Sequence, residues 1–190
     1  MAHDNPENYQ NEYYGGEDET SSRSGGGGTP SGIFGFFGGL QPISDLIMRI
    51  VVGWAFYASG LTKVASSEIL LNILGRDIRY PTSLEPSQTT FMLFQHEYSV
   101  PLIASEMAAQ VGTAAEIILP VLLIFGLFGR LSALGLFVFN IVAVVSYEAA
   151  QTGAGFYLHV IWGPMLLALI AHGPGKISID YLFTPKKRSA

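Results

Sequence analysis

Cysteine is absent from all 190 residues, which removes disulfides, thiolate metal sites, Fe–S clusters and dithiol redox chemistry from this chain acting by itself. Charge is scarce too: 13% of residues are charged against 49% hydrophobic, about half the charged share usual for soluble domains. A chain this poor in charge points to lipid as its solvent. The N-terminus also lacks a basic region followed by a short apolar core and a small-residue cleavage site, so the first hydrophobic segment is expected to direct insertion. Bases are too few for nucleic acid; the string Lys186, Lys187, Arg188 suits anionic lipid better.

The charge that is present is unevenly placed. Asp4, Glu7, Glu12, Glu17, Asp18 and Glu19 face a single base, Arg23, in a stretch of polar, glycine-rich text, and the rest of the chain is formally neutral. Such a stretch cannot bury enough apolar surface to offset its ordering entropy, so residues 1–40 are expected to be a disordered acidic tail. The aromatics of Ile33-Phe34-Gly35-Phe36-Phe37 suit a headgroup region. A membrane domain follows over residues 42–183, and residues 184–190 form a basic C-terminal tail.

Four hydrophobic spans are expected, at about Asp45 to Ala65, Pro101 to Leu127, Leu131 to Ala150 and Phe156 to His172. The fold class is therefore all-α: an antiparallel bundle of four transmembrane helices. Between the first two spans lies a loop of about thirty residues, in which a short interfacial helix is expected near Ser67 to Leu74. The turns Gly126 to Arg130 and Gln151 to Gly155 are short, making consecutive helices antiparallel neighbours. Arg23, Arg49, Arg130, Lys176, Lys186, Lys187 and Arg188 then share one side, opposite Lys63, Arg76 and Arg79, which places both termini in the cytoplasm.

Ionisable groups inside a span cost roughly 2.5–3.5 kcal/mol each at the helix centre and need a partner or a purpose. Arg49, Gly53, Phe56, Gly60 and Lys63 fall on one face of the first span, where the glycines admit a close neighbour. The second span carries Glu106, Gln110, Thr113, Glu116 and Pro120 in one broad stripe. Depth counting puts Lys63 near Glu106 and Arg49 towards Glu116, giving two interhelical ion pairs. The alternative is that both bases snorkel to headgroups while Glu116 is protonated. Helix kinks are expected at Pro120 and Pro164, which free the carbonyls of Glu116 and Val160. Asn140 lies near mid-depth in the third span and His159 one turn into the fourth, above Trp162. His172 sits at the other end, so the two histidines cannot jointly hold a haem, and no metal site is assigned.

The stretches Arg49 with Phe56 to Lys63, Ala114-Ala115-Glu116, Gly126 to Arg130 and Gly173 to Asp180, in this order and spacing, resemble the DoxX family of small bacterial membrane proteins. Phe94 to Pro101 with His159 and Trp162 resembles one branch of it. The resemblance implies a four-helix bundle in the bacterial inner membrane and a link to quinone-dependent oxidation, with a quinone as the implied cofactor and respiratory-complex proteins as partners. Arg49, Lys63, Glu116 and Arg130 are the positions it carries over. No catalytic residue is assigned. The expected function is an accessory subunit of a quinone-linked redox system, an oxidoreductase component by resemblance only. The alternative is a non-enzymatic scaffold for a larger complex, and a small-solute carrier is disfavoured by the lack of an internal repeat.

Overall fold

The computed structural model describes residues 33–98, 100 and 102–183, with side chains from residue 39 onward. The expected acidic tail up to residue 32 and the basic end at 184–190 lie outside the described residues.

Helix α1 runs Ile33–Lys63, starting well before Asp45 and taking Pro42 into its interior. Three more long helices follow: α3 (Ser105–Phe125), α4 (Gly129–Ser146) and α5 (Gly153–His172). These three are long and apolar enough to cross a membrane. The 31-residue α1 has the length, but Asp45, Arg49 and Lys63 dilute its hydropathy and it falls outside that set. In packing, α1 touches α3 and α5, while α4 lies between α3 and α5, so the four close into a ring. Val52, Phe56, Leu123, Ala133, Leu136, Leu166 and Leu169 fill its centre. The outer faces are as apolar as the core: Ile47, Val51, Trp54, Val111, Ile118, Val138, Ile141, Leu158 and Ile161 are all exposed. Contiguous exposed aliphatic surface of this kind matches lipid.

The connection after α1 departs from expectation. Instead of an interfacial helix near Ser67 to Leu74, it forms an antiparallel hairpin of β1 (Ser67–Ile73) and β2 (Arg76–Pro81). The reason is the turn. Leu74 and Gly75 both adopt positive φ, at 51° and 77°, the two-residue geometry whose twist matches that of paired strands. Cross-strand bonds add to it: Tyr80 Oη donates to Glu68 at 2.9 Å and Asn72 Nδ2 to Asp77 at 2.7 Å. Tyr57 on α1 donates to the Arg79 carbonyl at 3.0 Å, tying the hairpin to the bundle.

Helix α2 (Gln88–His96) comes next, N-capped by Ser87, whose Oγ accepts from Thr90 N–H. The same turn fastens the end of α1: Ser87 N–H and Thr90 Oγ1 both donate to the Lys63 carbonyl at 2.8 Å. At the opposite end, α3 closes on Gly126 at φ 66°, with Leu127 N–H reaching back to Leu122 O at 2.9 Å. The orphan amides that open α4 are met from the C-terminal segment, where Asp180 of α6 (Ile179–Phe183) accepts from Phe128 N–H at 2.9 Å and Gly129 N–H at 2.7 Å.

Candidate functional site

Close approach of α1 and α3 creates the site. A Cβ on Gly60 would stand 3.0 Å from both the carbonyl carbon and the Cβ of Glu116, so only glycine allows this contact. One turn on, Lys63 Nζ donates to Glu116 Oε2 at 2.5 Å and to Ser59 Oγ at 3.0 Å. Ser59 Oγ in turn donates to Glu116 Oε1 at 3.4 Å. The ion pair is sequestered, with side-chain exposures of 12% for Lys63 and 5% for Glu116.

The expected pairing is therefore corrected. Lys63 pairs with Glu116, not Glu106; Glu106 and Gln110 are exposed and join no site. Glu106 sits in the first turn of α3, past the end of α1, because Lys63 at that end stands level with Glu116, well inside α3. Arg49 does not reach Glu116 either. It is fully buried at the other end of the bundle, where its guanidinium donates to the backbone carbonyls of Ile124, at 3.5 Å, and Ile177.

Around the ion pair lies a cavity of about 380 Å³, within the range of roughly 300–1,000 Å³ found for small-molecule sites. Phe56, Phe139 and Trp162 wall it from three helices, with ring centroids 6.2 Å and 5.2 Å from Phe56. Three stacked rings, Phe94, Tyr98 and Tyr147, also line it, at successive centroid separations of 4.4 Å. Tyr98 and Tyr147 are also bridged through their backbones, joining the segment after α2 to the end of α4. Burial, reinforced by the nearby Glu116 charge, pushes the Tyr98 phenol pKa up. Burial also raises that of Tyr147, with the charge of Glu97 and a hydrogen bond to it adding to the effect.

Across the cavity, His159 and Asn140 come together. His159 Nδ1 lies 2.7 Å from Asn140 Oδ1, and Asn140 Nδ2 donates to the His159 carbonyl at 3.1 Å. The His159 ring meets Trp162 edge-on at 5.2 Å. Of the expected polar residues, the site thus gathers Lys63, Glu116 and His159, with Asn140 behind His159. Pro120 is buried in α3 and Pro164 is exposed on α5. Sequence reasoning missed Ser59 and the stacked rings. Ser59 is four residues from Lys63 on the same helical face, a signal that was available. The Tyr98–Tyr147 pairing joins residues far apart in sequence and left no such signal.

A second cleft of about 750 Å³ opens at the Arg49 end, lined by Asp45, Arg130, His172, Lys176 and Asp180 among others. Its charges are largely engaged with the chain. Asp180 caps α4, and Arg130 faces the carbonyls of Ala171 and His172 at 3.4 and 3.5 Å. Asp45, 1% exposed, lies 3.7 Å from His172 Nδ1.

Apolar outer faces, a sequestered ion pair and an aromatic-walled internal cavity define an integral membrane protein of helical class. The chain belongs to the DoxX family, whose model matches residues 44–149. That match takes in Arg49, Lys63, Glu116 and Asn140 and stops short of His159. An uncharacterized protein of Haemophilus influenzae (strain ATCC 51907 / DSM 11121 / KW20 / Rd) is 32% identical over 146 residues, covering 74% of this chain and 83% of its own length. No solved structure matches the chain.

Proposed function

We propose that this DoxX-family protein is an accessory subunit of a quinone-linked respiratory or redox system in the bacterial inner membrane, with the cavity as the seat of a quinone head. In this reading α1 is a fourth crossing and both termini are cytoplasmic. The length of α1 and its exposed Ile47, Ile50, Val51 and Trp54 support the crossing, and the distribution of bases supports the orientation. The carrying observation is the cavity itself, mostly apolar and ringed by aromatic faces, with polar side chains at Ser59, Lys63, Glu116, His159, Tyr98, Tyr147 and the Trp162 indole.

That lining fits a flat ring with polar oxygens at its edge: aromatic faces stack on it, Lys63 donates, and the stacked Phe94, Tyr98 and Tyr147 rings add to the wall. When bound, a quinone supplies two-electron, two-proton chemistry. The chain's own part is to hold the ring and to keep ionisable groups beside it, in surroundings where protonation is sensitive to neighbours. Extraction of the purified protein followed by mass spectrometry is expected to recover a quinone. Glu116→Gln is expected to assemble normally yet fail to support quinone-dependent oxygen consumption. Protein without quinone, from a strain whose quinone-dependent respiration is unchanged by deletion of the chain, rejects this reading.

The hairpin favours a second reading, a scaffold for a larger membrane or respiratory assembly. Ile69, Leu70, Ile73 and Leu74 are exposed on it, and a two-stranded sheet leaves unpaired strand edges. Here Glu116→Gln is expected to impair complex assembly in proportion to the loss of activity.

A further inference from the structure

His159 occupies an unusual position among the groups around the cavity, because its protonation pattern is set from outside. Asn140 Nδ2 donates to the His159 carbonyl at 3.1 Å, which turns Oδ1 towards the imidazole. The flipped amide would set two oxygens against each other, so the hydrogen-bond network permits one orientation. Oδ1 can only accept, and it lies 2.7 Å from Nδ1. In the neutral ring Nδ1 therefore carries the proton and Nε2 keeps its lone pair. No group among the described residues is recorded as bonding Nε2, and His159 lines the cavity.

The other polar pole has the opposite character. Lys63 Nζ has three protons, two of which go to Glu116 Oε2 and Ser59 Oγ. Lys63 also lines the cavity, so its remaining proton is the one a ligand there would meet. A ligand between these poles meets a donor at Lys63 and an acceptor at His159.

We propose that His159 is a specificity-determining residue, held as an acceptor by Asn140, and that the cavity selects a ring bearing a hydroxyl over one whose polar atoms only accept. A phenolic hydroxyl both donates to Nε2 and accepts from Lys63. A carbonyl or ether oxygen at the His159 end instead sets one lone pair against another and leaves a desolvated acceptor unpaired, the costly case for a polar group. Asn140 acts as a positioning residue through the imidazole and need not touch the ligand. This inference rests on the cavity reading proposed above and adds the oxidation level it favours.

The test is anaerobic equilibrium binding of three probes to the full-length protein in lipid nanodiscs: a short-chain 1,4-benzoquinol, the matching benzoquinone and the dimethyl ether of the quinol. The quinol is expected to bind about tenfold more tightly than either of the others, the effect of one well-formed hydrogen bond against an unpaired acceptor. His159→Phe and Asn140→Leu are each expected to shrink that ratio towards one, whatever they do to affinity in general. A merely structural role would weaken all three probes alike. Equal binding of quinol and quinone to the unaltered protein overturns the inference while leaving the cavity reading in place. So does a preference that survives His159→Phe. Failure of all three probes to bind overturns the cavity reading and this inference with it.

Discussion

The two ends of the bundle use charge in opposite ways. At the Arg49 end, charged side chains are spent on the backbone: Arg49 gathers carbonyls from the end of α3 and the segment before α6, and Asp180 caps α4. At the Lys63 end, the charges face each other across α1 and α3, beside an apolar cavity that no backbone fills. The difference teaches where to look for function. Charge that ties chain segments together is accounted for by folding, whereas charge that lines a cavity can also meet a ligand.

Breaking the first end is expected to have the largest effect on stability. Arg49→Ala removes a buried cation that faces Asp45 and Asp180, takes a donor from two carbonyls, and is expected to cost roughly 3–5 kcal/mol, the range for stranding a buried charge. Reversible unfolding in mixed detergent micelles measures it. A cost smaller than that of Glu116→Gln would reverse the proposed division between the ends.

At the cavity end a smaller, reciprocal effect is expected. Lys63→Met or Glu116→Gln alone leaves the partner with an incomplete set of bonds at a cost of about 1–3 kcal/mol. The double variant is expected to recover roughly 1 kcal/mol relative to the sum, because neither group is then stranded. Additive losses in the same unfolding assay would mean that the pair contributes nothing as a pair.

The smallest effect concerns the stacked rings. Burial raises the Tyr98 pKa, so in the unfolded chain the phenol loses its proton first, near pH 10 by its usual value, while the folded chain retains it. The stabilisation is therefore fully present below about pH 10 and declines as pH climbs through the folded-state value. Tyr98→Phe is expected to flatten the fall in melting temperature between about pH 9 and pH 11 without abolishing it, since Tyr147 shifts in the same direction. An unchanged slope would show that the stack is open to water.

Much of this architecture could be read from composition and spacing. The spans were legible because apolar runs bounded by glycine, proline and charge leave a backbone in lipid few choices but helix. Gly60 and Lys63 on one face of the first span and Glu116 in the second marked the right helices for contact. Their pairing was misassigned because depth counting takes both helices to end at one level, whereas Lys63, the last residue of α1, stands level with Glu116, well inside α3. The hairpin was hidden for another reason. Ser67 to Leu74 has an apolar pattern compatible with either structure, and the decision came from Leu74 and Gly75 taking left-handed conformations together.

By itself the sequence determined that this chain lives in lipid, roughly where its long apolar helices lie and which of them carry buried charge, because each follows from local hydropathy and backbone hydrogen bonding. Tertiary structure alone decided which charges meet. It also decided that Asn140 turns His159 into an acceptor and that Phe94, Tyr98 and Tyr147 stack over a cavity. Those outcomes depend on contacts between residues distant in sequence, and the axial offset between two helices decides which partners meet.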